Sequence, residues 1–300
     1  MKKNKIYKGI NKIPTGFASD KVIQGCIVLE GGGWKGLYTL GVLDFLMQND
    51  INLSTVVGCS AGALSALQYI TGQIGWGARI DLKYRHDKNF CGTGALKRDK
   101  GISGFSYLFN DIQKDVPLDM DKLNKSPKRL IVSVSNIETG EVEYFEKGKC
   151  DILKAVQASA TIPFVSKPVI INKTPYLDGG CLEKIPYGWL KNNKQEKIIV
   201  IKTREISYHR KTGFPKIVKV FYKKYPKFVS GMMKTNAKFN KMVELLKEKH
   251  NKKEIFVIAP SKKVTVKRFD GNMDKLGELY WLGYNDTKKC LKDLKKYLNA

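Results

Sequence analysis

Three groups of residues in this 300-residue chain have types and spacing suited to chemistry: a serine, a run of glycines and an aspartate. Ser60 stands in Gly58-Cys59-Ser60-Ala61-Gly62. The run before it, Leu53-Ser54-Thr55-Val56-Val57, is apolar and β-branched, and predicts a buried parallel strand. The run after it, from Ala63 to Ile70, consists mostly of helix formers. Glycines on either side of the serine permit a sharp strand-to-helix turn. Such a turn lifts the hydroxyl above a sheet, at the positive end of a helix. The same small residues also suit any tight junction, so the motif needs partners.

Two partners stand elsewhere. Cys26-Ile27-Val28-Leu29 predicts a short strand running into Glu30-Gly31-Gly32-Gly33-Trp34-Lys35-Gly36, followed by a helical pattern through Leu37, Leu40, Leu43 and Met47. Consecutive glycines leave main-chain N–H groups uncovered at a helix start, which makes a site for negative charge. Far downstream, Pro175-Tyr176-Leu177-Asp178-Gly179-Gly180 sets a carboxylate at a strand end, with glycines that let backbone or substrate come close. Nucleophile, anion cradle and base are the parts that acyl transfer requires.

With these three segments in this order the chain resembles the bacterial patatin-like phospholipases, whose marks are G-G-G-x-[KR]-G, G-x-S-x-G and D-G-[AG]. They stand here as Gly31 to Gly36, Gly58 to Gly62, and Asp178-Gly179-Gly180. The resemblance runs from about Cys26 to the final helix. It implies a three-layer α/β/α fold around a mainly parallel sheet, and a lipid acyl hydrolase that uses a Ser–Asp dyad. The Ser60 oxygen is then the nucleophile and Asp178 the base. The oxyanion falls to the amides of Gly31, Gly32, Gly33 and Trp34. An aspartate is a weak base at its ordinary pKa of about 4, so it must be partly desolvated. Lys35 either adds positive charge near the site or ties the loop to a carboxylate. Cys59 reads as a small buried residue.

The other residues agree with a dyad. The histidines are His86, His209 and His250, all in strongly charged surroundings that predict surface positions. An α/β-hydrolase triad needs a late histidine; His209 and His250 come late enough, but neither is set in a glycine-bearing loop after a strand. Gly31-x-Gly33-x-x-Gly36 also fits a dinucleotide fingerprint, which expects an acidic residue ending the next strand. Asp50 lies near that distance but precedes the strand.

A hydrophobic content of 42% supports a large core, and strand and helix signals alternate through the first two-thirds of the chain, as a parallel sheet covered by helices requires. Further strands are expected at 130–134, 197–201 and 255–259, and helices at 151–159 and 244–250. The expected organisation is an N-terminal extension over 1–22, a catalytic domain over 23–205, and a basic, mostly helical part over 206–300 packed on it.

The net charge is +26, and only seven of the fifty-four basic residues are arginine. Residues 201–300 hold twenty-six basic and nine acidic side chains. Within them, 215–228 mixes lysines with aromatics. That segment either lies on an anionic bilayer, each lysine adding about 1 kcal/mol, or packs its aromatic face on the core with lysines in solvent. No nucleic-acid motif is present, so nucleic acid is not an expected partner. Six cysteines without C-x-x-C pairing or clustering with histidine point to free thiols in a reducing compartment and to no metal site. The start, Met1 to Lys8, is basic without the apolar run of a signal peptide. The uncharged stretch from Ile51 to Ala78 holds the elbow glycines and reads as strand–turn–helix, not as a membrane span. The expectation is a cytoplasmic hydrolase of lipid-like esters that needs no cofactor and touches membranes peripherally. A non-catalytic lipid- or nucleotide-binding regulator on the same fold is the alternative.

Overall fold

The structure, a computed structural model, describes residues 6–213 and 216–299. Met1 to Lys5 at the basic start, and Pro215 at the head of the lysine–aromatic segment, lie outside the described residues.

An eight-stranded sheet forms the centre. Its order is Phe256–Ile258, Ile198–Ile201, Ile23–Leu29, Leu53–Cys59, Arg129–Asn136, Thr174–Asp178 and Val169–Ile171, with Val142–Glu146 also paired to Arg129–Asn136. The first five strands are mutually parallel. The remaining pairings are antiparallel. The apolar runs are buried on both faces, as parallel strands covered by helices must be: Cys26 to Leu29, Val56, Val57 and Ile199 to Ile201 are all fully inaccessible. The strands and helices expected from sequence are present with ends shifted by a few residues, except that the helix expected at 244–250 is only the end of a longer one, Pro226–Asn251. The elbow strand runs on to Cys59, directly against the serine, and Asp151 caps the helix Ile152–Ser159 through the Lys154 N–H (3.0 Å).

The C-terminal third does more than lie on the surface. It contributes the edge strand Phe256–Ile258 and the long helices Pro226–Asn251 and Met273–Asn299. The last of these crosses Gly36–Gln48 so closely that a side chain at Gly41 would overlap the Tyr280 carbonyl, and one at Gly283 the Tyr38 carbonyl. Tyr280 Oη donates to buried Asp44 at 2.7 Å, which also accepts from Gly75 N and Gln68 Nε2. Burial pushes the Asp44 carboxyl up to about 7.

The packing reading of the lysine–aromatic segment holds in part. Val218, Tyr222 and Phe228 turn inward, whereas Ile217, Val220 and Phe221 are exposed among lysines. Among the described residues no helix is long and apolar enough to cross a membrane.

Candidate active site

The serine sits on a strained turn. Ser60 has φ 54° and ψ −122°, between the strand Leu53–Cys59 and the helix Ala61–Thr71. A non-glycine residue there is uncomfortable and persists only when its surroundings hold it. The motif glycines remove the obstacles: a Cβ at Gly58 would lie 2.7 Å from Ala63 backbone atoms, and one at Gly62 2.6 Å from the Leu29 carbonyl. Ser159, which sequence reading did not assign to the site, secures the turn. Its Oγ accepts the Ser60 N–H at 2.8 Å and donates to the Ser133 carbonyl at 2.6 Å. Ser60 as a residue is nonetheless only 8% exposed, set down in the molecule and not proud of it.

Asp178 ends the strand Thr174–Asp178 and accepts from Ser60 Oγ at 2.7 Å on Oδ2. Its Oδ1 accepts the Gly180 N–H at 2.7 Å. Gly179 lies flat on the Ser133 carbonyl, where a Cβ would collide. Burial raises the Asp178 carboxyl above the usual carboxylate range, and the bonds from Ser60 and Gly180 with the charges of Arg268 and Lys184 draw it back. Cys59 is fully buried, and burial keeps its thiol protonated.

The glycine loop follows the strand Ile23–Leu29, and Gly36 opens the helix behind it. Gly31 N–H is engaged by the Lys184 carbonyl at 3.0 Å, so Gly31 cannot serve as an oxyanion donor as expected. A side chain there would meet Ser60 Cβ at 3.0 Å, which makes Gly31 a spacer. Among the described residues, the amides of Gly32, Gly33 and Trp34 meet no acceptor. Lys35 is buried and its Nζ reaches the Gly32 carbonyl at 3.4 Å. It makes no ion pair with any described carboxylate, against one of the two roles expected of it. Burial and the charges of Arg204 and Arg268 push its ammonium down to about 8.

Two cavities meet at this point, sharing Gly33, Ser60, Ile162 and Arg268. The smaller, about 120 Å³, is walled mainly by apolar side chains such as Leu40, Leu64, Trp76, Phe90 and Phe105. The larger, about 400 Å³, takes in Gly31, Gly32, Asp178 and several cationic side chains. No histidine lines either. His209 is exposed as expected, but His86 and His250 are half-buried, bonded to the Gly271 carbonyl and the Val257 N–H. All six cysteines are free thiols.

A serine on a strand-to-helix turn beside an aspartate and a glycine loop, at the ends of a mainly parallel sheet, holds the parts that acyl transfer requires. Comparison with known proteins places it: the chain belongs to the patatin-like phospholipase family, whose family model matches residues 27–188. A second family model, a domain of unknown function (DUF6363), matches 225–299. The chain is 29% identical over 182 residues to the uncharacterized protein YjjU of Escherichia coli, covering 59% of this chain and 51% of that one, about half its length. It is 25% identical over 221 residues to the probable lipid hydrolase 463L of Invertebrate iridescent virus 6, covering 66% and 76%. Among solved structures, VipD of Legionella pneumophila matches 93% of this chain and 68% of its own at 17% identity, with a TM-score of 0.49.

Proposed function

We propose that the chain is a serine lipid acyl hydrolase that cleaves carboxylic esters of phospholipid or lysophospholipid type. The 2.7 Å hydrogen bond from Ser60 Oγ to Asp178 Oδ2 carries this reading. Ser60 Oγ attacks the ester carbonyl carbon while its proton passes to Asp178. The carbonyl oxygen, now negative, meets the amides of Gly32, Gly33 and Trp34, each worth roughly 3 kcal/mol in such sites. The adduct collapses, Asp178 returns the proton to the departing alcohol, and an acyl-serine remains. Water, deprotonated by the same carboxylate, then releases the carboxylic acid and restores Ser60. The apolar cavity receives the acyl chain. Family membership and the name of the viral relative support a lipid as substrate.

The site works at a lipid surface as a peripheral partner. Exposed Val220 and Phe221 stand among Lys216, Lys219, Lys223 and Lys224. Phe221 packs edge-on against Phe164, two residues beyond the cavity residue Ile162. Apolar tips ringed by lysines suit an anionic interface.

The direct test is turnover of p-nitrophenyl esters together with fluorophosphonate labelling. Wild-type protein turns over and is labelled at Ser60, and Ser60→Ala does neither. A folded wild type that hydrolyses no ester and takes no label would leave the non-catalytic regulator as the better description.

A further inference from the structure

Three of the seven arginines in this lysine-rich chain, Arg204, Arg210 and Arg268, converge on one cavity. Lys35, Lys184 and Lys267 join them there, and among the described residues Asp178 is the only carboxylate in its wall. Among the described residues none of these six cations forms an ion pair. Arg204 Nε and Arg210 Nε are buried with no acceptor at all. Buried donors left open in this way are costly unless a ligand meets them.

The guanidinium groups are held in place. Arg204 donates to the Val264 carbonyl at 2.6 Å and lies 4.7 Å over the Tyr208 ring. Arg210 lies 4.8 Å over Phe239, and its backbone is clamped in both directions by Asn240, at 2.8 and 2.9 Å. Glu30, fully buried behind the glycine loop, accepts the Thr203 N–H at 2.8 Å and forms no ion pair with the cluster among the described residues, and burial raises its carboxyl above the usual carboxylate range. Planar arginine forks with open N–H groups match a phosphate better than they match any neutral group.

Position narrows the ligand. With the acyl chain in the apolar cavity and the carbonyl at Ser60, the leaving alcohol projects into the basic cavity. The alcohol of a phospholipid or lysophospholipid carries a phosphate. A choline or ethanolamine headgroup adds a cation, for which this cavity offers no free partner, since Asp178 is taken up by Ser60 and Gly180. We infer that the basic cavity is a headgroup site selecting lipids whose glycerol-linked phosphate bears no cation, such as phosphatidylglycerol, phosphatidate and their lyso forms. This deepens the hydrolase reading and rests on it.

Calorimetric titration of Ser60→Ala protein tests it without depending on turnover. The probes are monomeric dihexanoyl phosphatidylglycerol, dihexanoyl phosphatidylcholine and inorganic phosphate. The glycerol lipid is expected to bind about tenfold more tightly than the choline lipid, whose cation meets only like charge, a difference of about 1.4 kcal/mol. Arg210→Gln, and independently Arg204→Gln, placed in the same background bring the two affinities together. Equal affinities at the outset, or a ratio unchanged in both arginine variants, overturn the inference. So does inorganic phosphate binding as tightly as the glycerol lipid, which would make the cavity a site for a free anion. Ester turnover by the wild type scores the hydrolase reading separately. A protein that turns over p-nitrophenyl butyrate but binds both lipids alike refutes only the headgroup assignment.

Discussion

Ser60 and Asp178, 118 residues apart in sequence, are joined by a 2.7 Å hydrogen bond across the strand Arg129–Asn136. Cys59 pairs with Ser133 in the parallel direction, and Asp178 pairs with the next residue, Val134, in the antiparallel direction. The reversal matters because it brings the end of the aspartate strand level with the serine turn. Ser133 also receives the Ser159 hydroxyl, so one short piece of strand braces both partners.

As the proposed base, Asp178 works only when ionised, so activity should fall as the pH drops through its pKa. Burial raises that pKa, so the acid limb of kcat/KM should lie above the ordinary carboxylate value of about 4. Arg268→Gln removes a charge that lowers it and should move the limb to higher pH. Asp178→Asn keeps the shape without the base and should cost about 10²–10⁴ in kcat. A pH–rate profile of the three proteins decides this, and an acid limb at or below the ordinary value would count against Asp178 as the base.

Ser159→Ala takes away the acceptor of the Ser60 N–H. The expected loss is about 1–3 kcal/mol of stability for the buried amide, with kcat reduced more than KM as the elbow relaxes. Denaturant midpoints and steady-state kinetics measure the two effects. A variant with wild-type values in both would mean that Ser159 does not hold the elbow.

Asp44 supplies a pH signature of stability. Its carboxyl is pushed up to about 7 in the folded chain, against about 4 when unfolded. Between those values the folded state binds a proton that the unfolded state has lost. Its contribution is therefore complete below the unfolded value and disappears as the pH rises through the folded one. The stability difference between wild type and Asp44→Asn should shrink from pH 4 to 7. Urea denaturation at several pH values reads this directly; a constant difference contradicts it.

Val220→Ser with Phe221→Ser removes exposed apolar surface beside the site mouth without touching Val218 or Tyr222, which pack inward. Sedimentation with phosphatidylglycerol-containing liposomes should fall several-fold, while a rise in salt should weaken what the lysines contribute. Equal sedimentation of wild type and variant would remove these residues from the interface.

The candidate site was legible in short stretches of sequence. The glycines around Ser60, before Lys35 and after Asp178 stand out as motifs, but only Gly58, against Ala63, and Gly180, against Asp178 Oδ1, avoid a collision inside their own turn; a side chain at Gly32 would meet Thr203, one at Gly62 the Leu29 carbonyl and one at Gly179 the Ser133 carbonyl. Strands such as Cys26 to Leu29 were equally plain from their unbroken apolar runs. Other features depended on which segments meet. Nothing near Gly31 in sequence says that the Lys184 carbonyl will take its N–H, and nothing near Ser159 says that it will hold Ser60. The overall charge was visible from composition, but lysine abundance masked its meaning. Only the fold gathers Lys35, Lys184, Arg204, Arg210 and Arg268 around one cavity and, among the described residues, leaves them without an ion pair. Turn geometry is written in neighbouring residues, whereas hydrogen-bond partnership and electrostatic crowding are properties of distances that only chain folding sets.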